Sequence, residues 1–106
     1  MKTNTELLIG MTTVPTLEIG REISKFLITE KLAACTQISE SPVISCYIWK
    51  DQINEDKEYE LTIKFLKKNA EQVKEALLRM HPYETPQWYA FEPELICKKY
   101  AFWAEK

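Results

Sequence analysis

A chain of 106 residues, 45% hydrophobic and 28% charged, sets one domain over residues 1–106 as the expectation, large enough to bury a core without disulfides or metal. Its formal net charge of −2 argues against nucleic acid as the main partner, because phosphate binding needs clustered Lys and Arg, and here Lys67-Lys68 and Lys98-Lys99 have Glu around them. No apolar run approaches the ~20 residues that span a bilayer, and the polar segment Met1 to Glu6 lacks a signal peptide's basic-then-apolar order; no membrane partner and a cytoplasmic location are therefore expected.

Residues 1–6 are expected to fray. Leu7 to Val14 is a largely apolar run that suits a central, buried strand. Pro15 and Thr16 open a helix, with Thr16 as N-cap and Glu18 in its favourable first turn. Ile19, Ile23, Phe26 and Leu27 form one apolar stripe along it. Gly20 lies inside that helix, which a close helix–strand contact would explain. Leu32 to Ile38 is the next extended stretch, interrupted by Glu40-Ser41-Pro42, where a bend, a bulge or an edge position is expected because Pro42 cannot donate to a ladder.

Val43 to Trp49 resumes the strand, with Val43, Ser45, Tyr47 and Trp49 on one face and Ile44, Cys46 and Ile48 on the other. Lys50-Asp51-Gln52 reads as a tight turn, and Asp51 tolerates left-handed geometry better than most residues. Tyr59 to Phe65 alternates apolar with polar positions, the pattern of a half-buried strand. Asn69 and Gln72 have the spacing of a capping box, and Val73, Ala76, Leu77 and Met80 carry a second helix up to His81. Gln87 to Phe91 reads as a fourth strand and Leu95 to Trp103 as a short terminal helix. The three cysteines, Cys35, Cys46 and Cys97, are odd in number and lack C-x-x-C spacing; Cys35 and Cys46 are expected to be small buried hydrophobes.

The order is that of a split βαβ unit: an α+β, ferredoxin-like βαββαβ chain with a short C-terminal helix. Its two helices cover one sheet face, yet Tyr47, Trp49, Ile44, Ile48, Trp88, Tyr89 and Phe91 place large apolar groups on both. Self-association is the favoured explanation, because a hairpin over 43–66 is too long to be covered within one chain; a small helix folding back under the sheet is the competing one.

The run His81-Pro82-Tyr83-Glu84-Thr85-Pro86 concentrates chemistry. It holds the single histidine, and Pro82 and Pro86 stiffen the connection that presents His81, Tyr83 and Glu84. Its plainer reading is a helix stop followed by strand entry. No nucleophile–base pair, Gly-rich phosphate loop or metal-hydrolase spacing accompanies it, so an enzyme is not expected.

Four segments in register, Thr12-Thr13-Val14-Pro15, Lys31-Leu32-Ala33-Ala34-Cys35, Tyr47-Ile48-Trp49-Lys50 and His81 to Pro86, resemble the CutA divalent-cation-tolerance family over about Leu7 to Trp103. The resemblance implies a tightly packed homotrimer in which long hairpins of neighbouring chains pair their strands, similar in architecture to the PII signalling proteins. It also implies tolerance to copper and other divalent cations, with copper or another divalent cation as the candidate cofactor. The family's proposed ligands, a cysteine on strand one and adjacent histidines ending helix two, correspond here to Thr12, Met80 and His81, of which only His81 carries over.

His81 and Glu84 are therefore the candidate metal ligands, and Trp49, Lys64, Tyr83 and Glu84 the candidate lining of an inter-subunit cleft. Trp49 offers a ring face for stacking, Lys64 a cation, and His81 and Glu84 ligating or hydrogen-bonding groups. The plainer reading makes Trp49 and Tyr83 interface packing, with Lys64 and Glu84 an ion pair between chains. A second function class is a non-catalytic trimeric scaffold that anchors a partner protein.

Overall fold

The structure, a computed structural model, describes residues 6–106. Their elements run β1 (Leu7–Val14), α1 (Leu17–Thr29), β2 (Cys35–Ile38), β3 (Val43–Trp49), β4 (Gln52–Leu66), α2 (Ala70–Met80), β5 (Tyr89–Phe91) and α3 (Lys98–Ala104). This is a small mixed α/β fold on an antiparallel sheet of order β2-β4-β1-β5, with β3 pairing the distal half of β4. The expectation of a frayed 1–6 segment lies outside the described residues except at Glu6, whose carbonyl accepts from the Lys67 N–H at 2.6 Å.

Alternation on β4 and the helical stripes converge on one core. Val14 of β1, Leu61, Ile63 and Phe65 of β4, Ile23 and Leu27 of α1, and Val73 and Leu77 of α2 are all buried there. Burial of such side chains stabilises by about 1.5–3 kcal/mol each. Both glycines sit at close approaches within this core. A Cβ on Gly20 would lie 2.1 Å from Ile38 Cδ1, the expected helix–strand contact, and one on Gly10 would lie 2.2 Å from the Trp88 ring. Thr16 caps α1 as expected, its Oγ accepting from the Ile19 N–H at 3.1 Å.

The extended stretch after α1 is shorter than the expected 32–38, because α1 ends in a Schellman motif. Lys31 takes the left-handed position at φ 59, its N–H reaches the Ile28 carbonyl, and the Leu32 N–H reaches the Leu27 carbonyl. The interruption at 39–42 is a bulge-like break between Ile38, which pairs with Leu61, and Val43, which pairs with Glu58. Ser39 bridges it: its N–H donates to the Glu60 carbonyl and its Oγ accepts from the Glu60 N–H, both at 2.9 Å. β3 and β4 then form a long two-stranded arm closed by Lys50 and Asp51, both left-handed at φ 52 and φ 64.

Four further expectations need correction. The last strand spans Tyr89–Phe91 rather than Gln87 to Phe91, because Trp88 turns in to stack on Phe65. Asn69 does not form a capping box: it ends a 3-10 turn over Lys67–Asn69 at φ −98, ψ 5, and its side-chain amide donates to the Leu32 carbonyl instead. The terminal helix starts at Lys98 rather than Leu95, after Cys97 in extended geometry. Cys46 is exposed rather than buried, because none of the described residues covers that face of the arm; Cys35 is half-buried.

Both explanations offered for the surplus apolar surface have a share in the structure. Helix α3 folds onto the second sheet face, where its Tyr100 ring meets Lys64 of β4 and its Ala101 and Ala104 are buried. The arm stays uncovered, with Ile44, Ile48 and Ile53 at 68%, 72% and 76% exposure.

Candidate functional site

The His81 segment is anchored by local bonds. α2 ends when the His81 N–H reaches the Leu77 carbonyl at 2.8 Å and His81 turns extended ahead of Pro82. Its ring is buried against the end of β1. Nε2 lies 2.8 Å from the Thr13 carbonyl, which can only accept, so Nε2 carries the proton. Nδ1 then accepts from the Tyr83 N–H at 3.2 Å. Both nitrogens are engaged within the chain, and the ring packs 4.8 Å from that of Tyr83.

Tyr83 ties the segment to the arm. Its hydroxyl faces Glu58, a buried carboxylate on β4. Burial first, and the neighbouring Glu58 second, push the Tyr83 phenol well above its ordinary value. Farther out, the Tyr47 hydroxyl donates to Asp56, and that bond raises the Tyr47 phenol as well. Period-two geometry and the register that pairs Val43 with Glu58, Ser45 with Asp56 and Trp49 with Gln52 place these groups on one face. The result is a stripe of Trp49, Tyr47, Asp56, Glu58 and Tyr83.

The remaining candidates are dispersed. Trp49 stands at the arm's tip, opposite Gln52, while Lys64 lies twelve residues farther along β4. At ~3.3 Å per residue that is about 40 Å, in a chain whose longest extent is 49 Å. Lys64 is half-buried beneath α3, its Nζ 5.4 Å from the Tyr100 ring centre. Glu84 is exposed and makes no hydrogen bond or ion pair among the described residues. The structure thus joins His81, Tyr83 and the arm, and leaves Trp49 and Lys64 at opposite ends of one chain.

Within one chain these donors do not fit a copper ion. Both His81 nitrogens are used, Met80 packs against the core, and no group of three or more His, Cys, Asp or Glu side chains converges among the described residues. Sequence reasoning missed Glu58, Asp56 and the carbonyl of Thr13. The two carboxylates were legible in principle: once the turn pairs Trp49 with Gln52, each following even-numbered residue of β4 shares the face of Tyr47. The role of Thr13 was not, because a backbone carbonyl leaves no mark in a sequence.

Comparison with known proteins bears on this arrangement. The family model described as CutA1 divalent ion tolerance protein matches residues 8–106. The chain is similar to a probable divalent-cation tolerance protein cutA homolog of Encephalitozoon cuniculi, at 37% identity over 86% of this chain and 78% of that one. Its fold is similar to a CutA1 structure from the psychrotrophic Shewanella sp. SIB1, with a TM-score of 0.90 and 31% identity over 97% and 95% of the two chains. It is also similar to the CutA of Archaeoglobus fulgidus, described as a periplasmic divalent cation tolerance protein, with a TM-score of 0.88 and 29% identity over 93% and 95%.

Proposed function

Because the chain belongs to the CutA1 divalent ion tolerance protein family, we propose that it is a homotrimer of ferredoxin-like fold and PII-like assembly that acts in the response to divalent metal cations. In this reading it is cytoplasmic and non-catalytic, and it holds copper, another divalent cation or a small ligand in a cleft between subunits. The cleft brings Trp49 and Lys64 of different chains to the Tyr83 and Glu84 segment. The observation that carries the reading is the arm. It holds the apolar side chains Ile44, Ile48 and Ile53 away from its own core, and it separates Trp49 from Lys64 by about 40 Å, so only a neighbouring chain can close such a site.

For a cation, the exposed carboxylate of Glu84 is the accessible donor. His81 could join only by giving up its bond to Thr13 or to Tyr83. That saturation of the His81 ring favours a second reading, a trimeric scaffold that anchors a partner protein and uses the His81 segment as architecture.

Calorimetric titration of the assembled protein with Cu(II) and Cu(I), beside Glu84→Ala and His81→Ala, separates the two. The metal reading expects binding that Glu84→Ala abolishes while sedimentation still shows the trimer. No binding, or binding equal in all three proteins, sinks the metal site and leaves the scaffold.

A further inference from the structure

A recess lies away from the arm and the His81 segment, where the C-terminal ends of α1 and α3 meet the 3-10 turn before α2. It is half open to solvent and offers about 460 Å³, within the ~300–1,000 Å³ usual for small-molecule sites. Leu32, Ala33, Ala34, Leu66 and Ala104 give it an apolar floor. The half-exposed indole of Trp103 forms one wall, and it is held in place by stacking on Tyr100 at 5.6 Å between ring centres. The Asn69 amide reaches the Leu32 carbonyl, which ties the turn to the opposite side.

The rim is cationic in a chain of net charge −2. Lys31 and Lys68 line it beside the carboxylate of Glu105, while the Lys106 ammonium lies over the Phe102 ring outside the recess. Lys31 and Lys68 make no ion pair among the described residues, whereas the adjacent Lys67 is paired with Glu92 at 3.2 Å. Four helix-end carbonyls at this spot are bonded: the Lys31 and Leu32 N–H groups reach those of Ile28 and Leu27, and the Glu105 and Lys106 N–H groups reach those of Ala101 and Trp103. Lys31 and Lys68 supply the positive charge there, against the negative C-terminal ends of the two helices. Lys31 also holds the left-handed position where glycine would be least strained.

We propose that this recess binds a small organic anion with a flat apolar body, an aromatic carboxylate. The ring lies on the floor against Trp103 and the carboxylate meets Lys31 and Lys68. An apolar floor gives a neutral ligand little orientation, and a cationic rim rejects amines, so charge decides what enters.

The probe is 2-naphthoate, compared with 2-naphthalenemethanol and 2-naphthylmethylamine, titrated into the full chain and followed by calorimetry and amide NMR. Saturable naphthoate binding is expected, with shifts at residues 31, 68 and 103, an affinity at least ten-fold above the alcohol, and no binding of the amine. Lys31→Gly combined with Lys68→Gln should weaken naphthoate at least ten-fold. Lys31→Gly alone should hold or raise the melting temperature, because it relieves the left-handed backbone, so weaker binding there is not misfolding. Equal binding of the three probes, no binding at millimolar naphthoate, or binding indifferent to the lysine changes would overturn the proposal. So would shifts at the same residues on concentrating the protein without probe, which would assign the recess to a second copy of the chain.

Discussion

Leu61 and Ile53 stand eight residues apart on β4, at positions of the same parity, both apolar and both in a regular antiparallel ladder. Leu61 has 0% of its surface exposed and Ile53 has 76%. The ladder treats the two halves of the strand alike; the layers above and below do not. In the body, α1 and α2 seal one face of β4 and α3 shields part of the other. In the arm, β3 is the sole strand beside β4 among the described residues, and two-stranded ribbons are marginal alone in water. What holds this one is the continuity of β4 into the core, the directly opposed pair Ile48 and Ile53, and Tyr83 set against Glu58 at its base. The arm is an apolar surface extended from a body that is already complete.

The sharpest test of that contrast uses the same strand twice. Leu61→Ala empties a sealed position and is expected to cost about 2–5 kcal/mol of unfolding free energy. Ile53→Ala, in a chain kept monomeric by dilution, should change stability by less than about 0.5 kcal/mol. Urea unfolding of the two variants reads both. A large loss at Ile53 in the monomer would mean that the arm is covered by its own chain after all. Under the proposed trimer, Ile53→Asp should drop the sedimenting mass toward the 12.5 kDa of one chain while the helical circular dichroism persists.

The junction between the two regions comes next in size. Tyr83→Phe removes the hydroxyl that faces buried Glu58 and is expected to cost about 1 kcal/mol, the usual size of one lost polar contact. A pH series adds a signature that lost packing would not give. The folded phenol is held above its ordinary 10.0, so its contribution is fully present below about pH 10 and is lost as pH rises toward the folded value. The native protein should therefore lose melting temperature through that alkaline window faster than Tyr83→Phe. Parallel curves would remove the Tyr83–Glu58 contact as the hinge of the comparison.

The body was legible in the sequence because its signals are local. The alternation of Tyr59 to Phe65, the stripe of Ile19, Ile23 and Leu27, and the cap at Thr16 each reflect a period or a neighbour within a few residues. Asn69 failed for the opposite reason: its side chain is claimed by the Leu32 carbonyl, thirty-seven residues away in the chain. The candidate site was half legible. The grouping of His81 and Tyr83 follows from their spacing, but the burial of the His81 ring depends on Thr13 of β1. The separation of Trp49 from Lys64 depends on β3 and β4 continuing as one uninterrupted ribbon. Charge patterns likewise could not show that Lys31 and Lys68 share a recess with Trp103, since α1, the turn before α2 and α3 meet there only in the folded chain.

The smallest expected effect sits at the arm's tip and has the opposite sign. A two-residue hairpin loop with both residues left-handed favours Asn-Gly or Asp-Gly, because glycine adopts that geometry without a Cβ clash. This chain places Lys50 and Asp51 there, at φ 52 and φ 64. Asp51→Gly should therefore stabilise the turn by about 1 kcal/mol, less whatever the more flexible unfolded chain takes back. The gain should be local: slower amide exchange at Trp49, Gln52 and their neighbours, with protection unchanged at Ile63 and Leu77. If exchange slows equally in the core, tip and body unfold as one cooperative unit, and the arm cannot then be treated as a separate region. If it slows at the tip alone, the arm opens on its own before the core does, as expected for a ribbon left uncovered by its own chain.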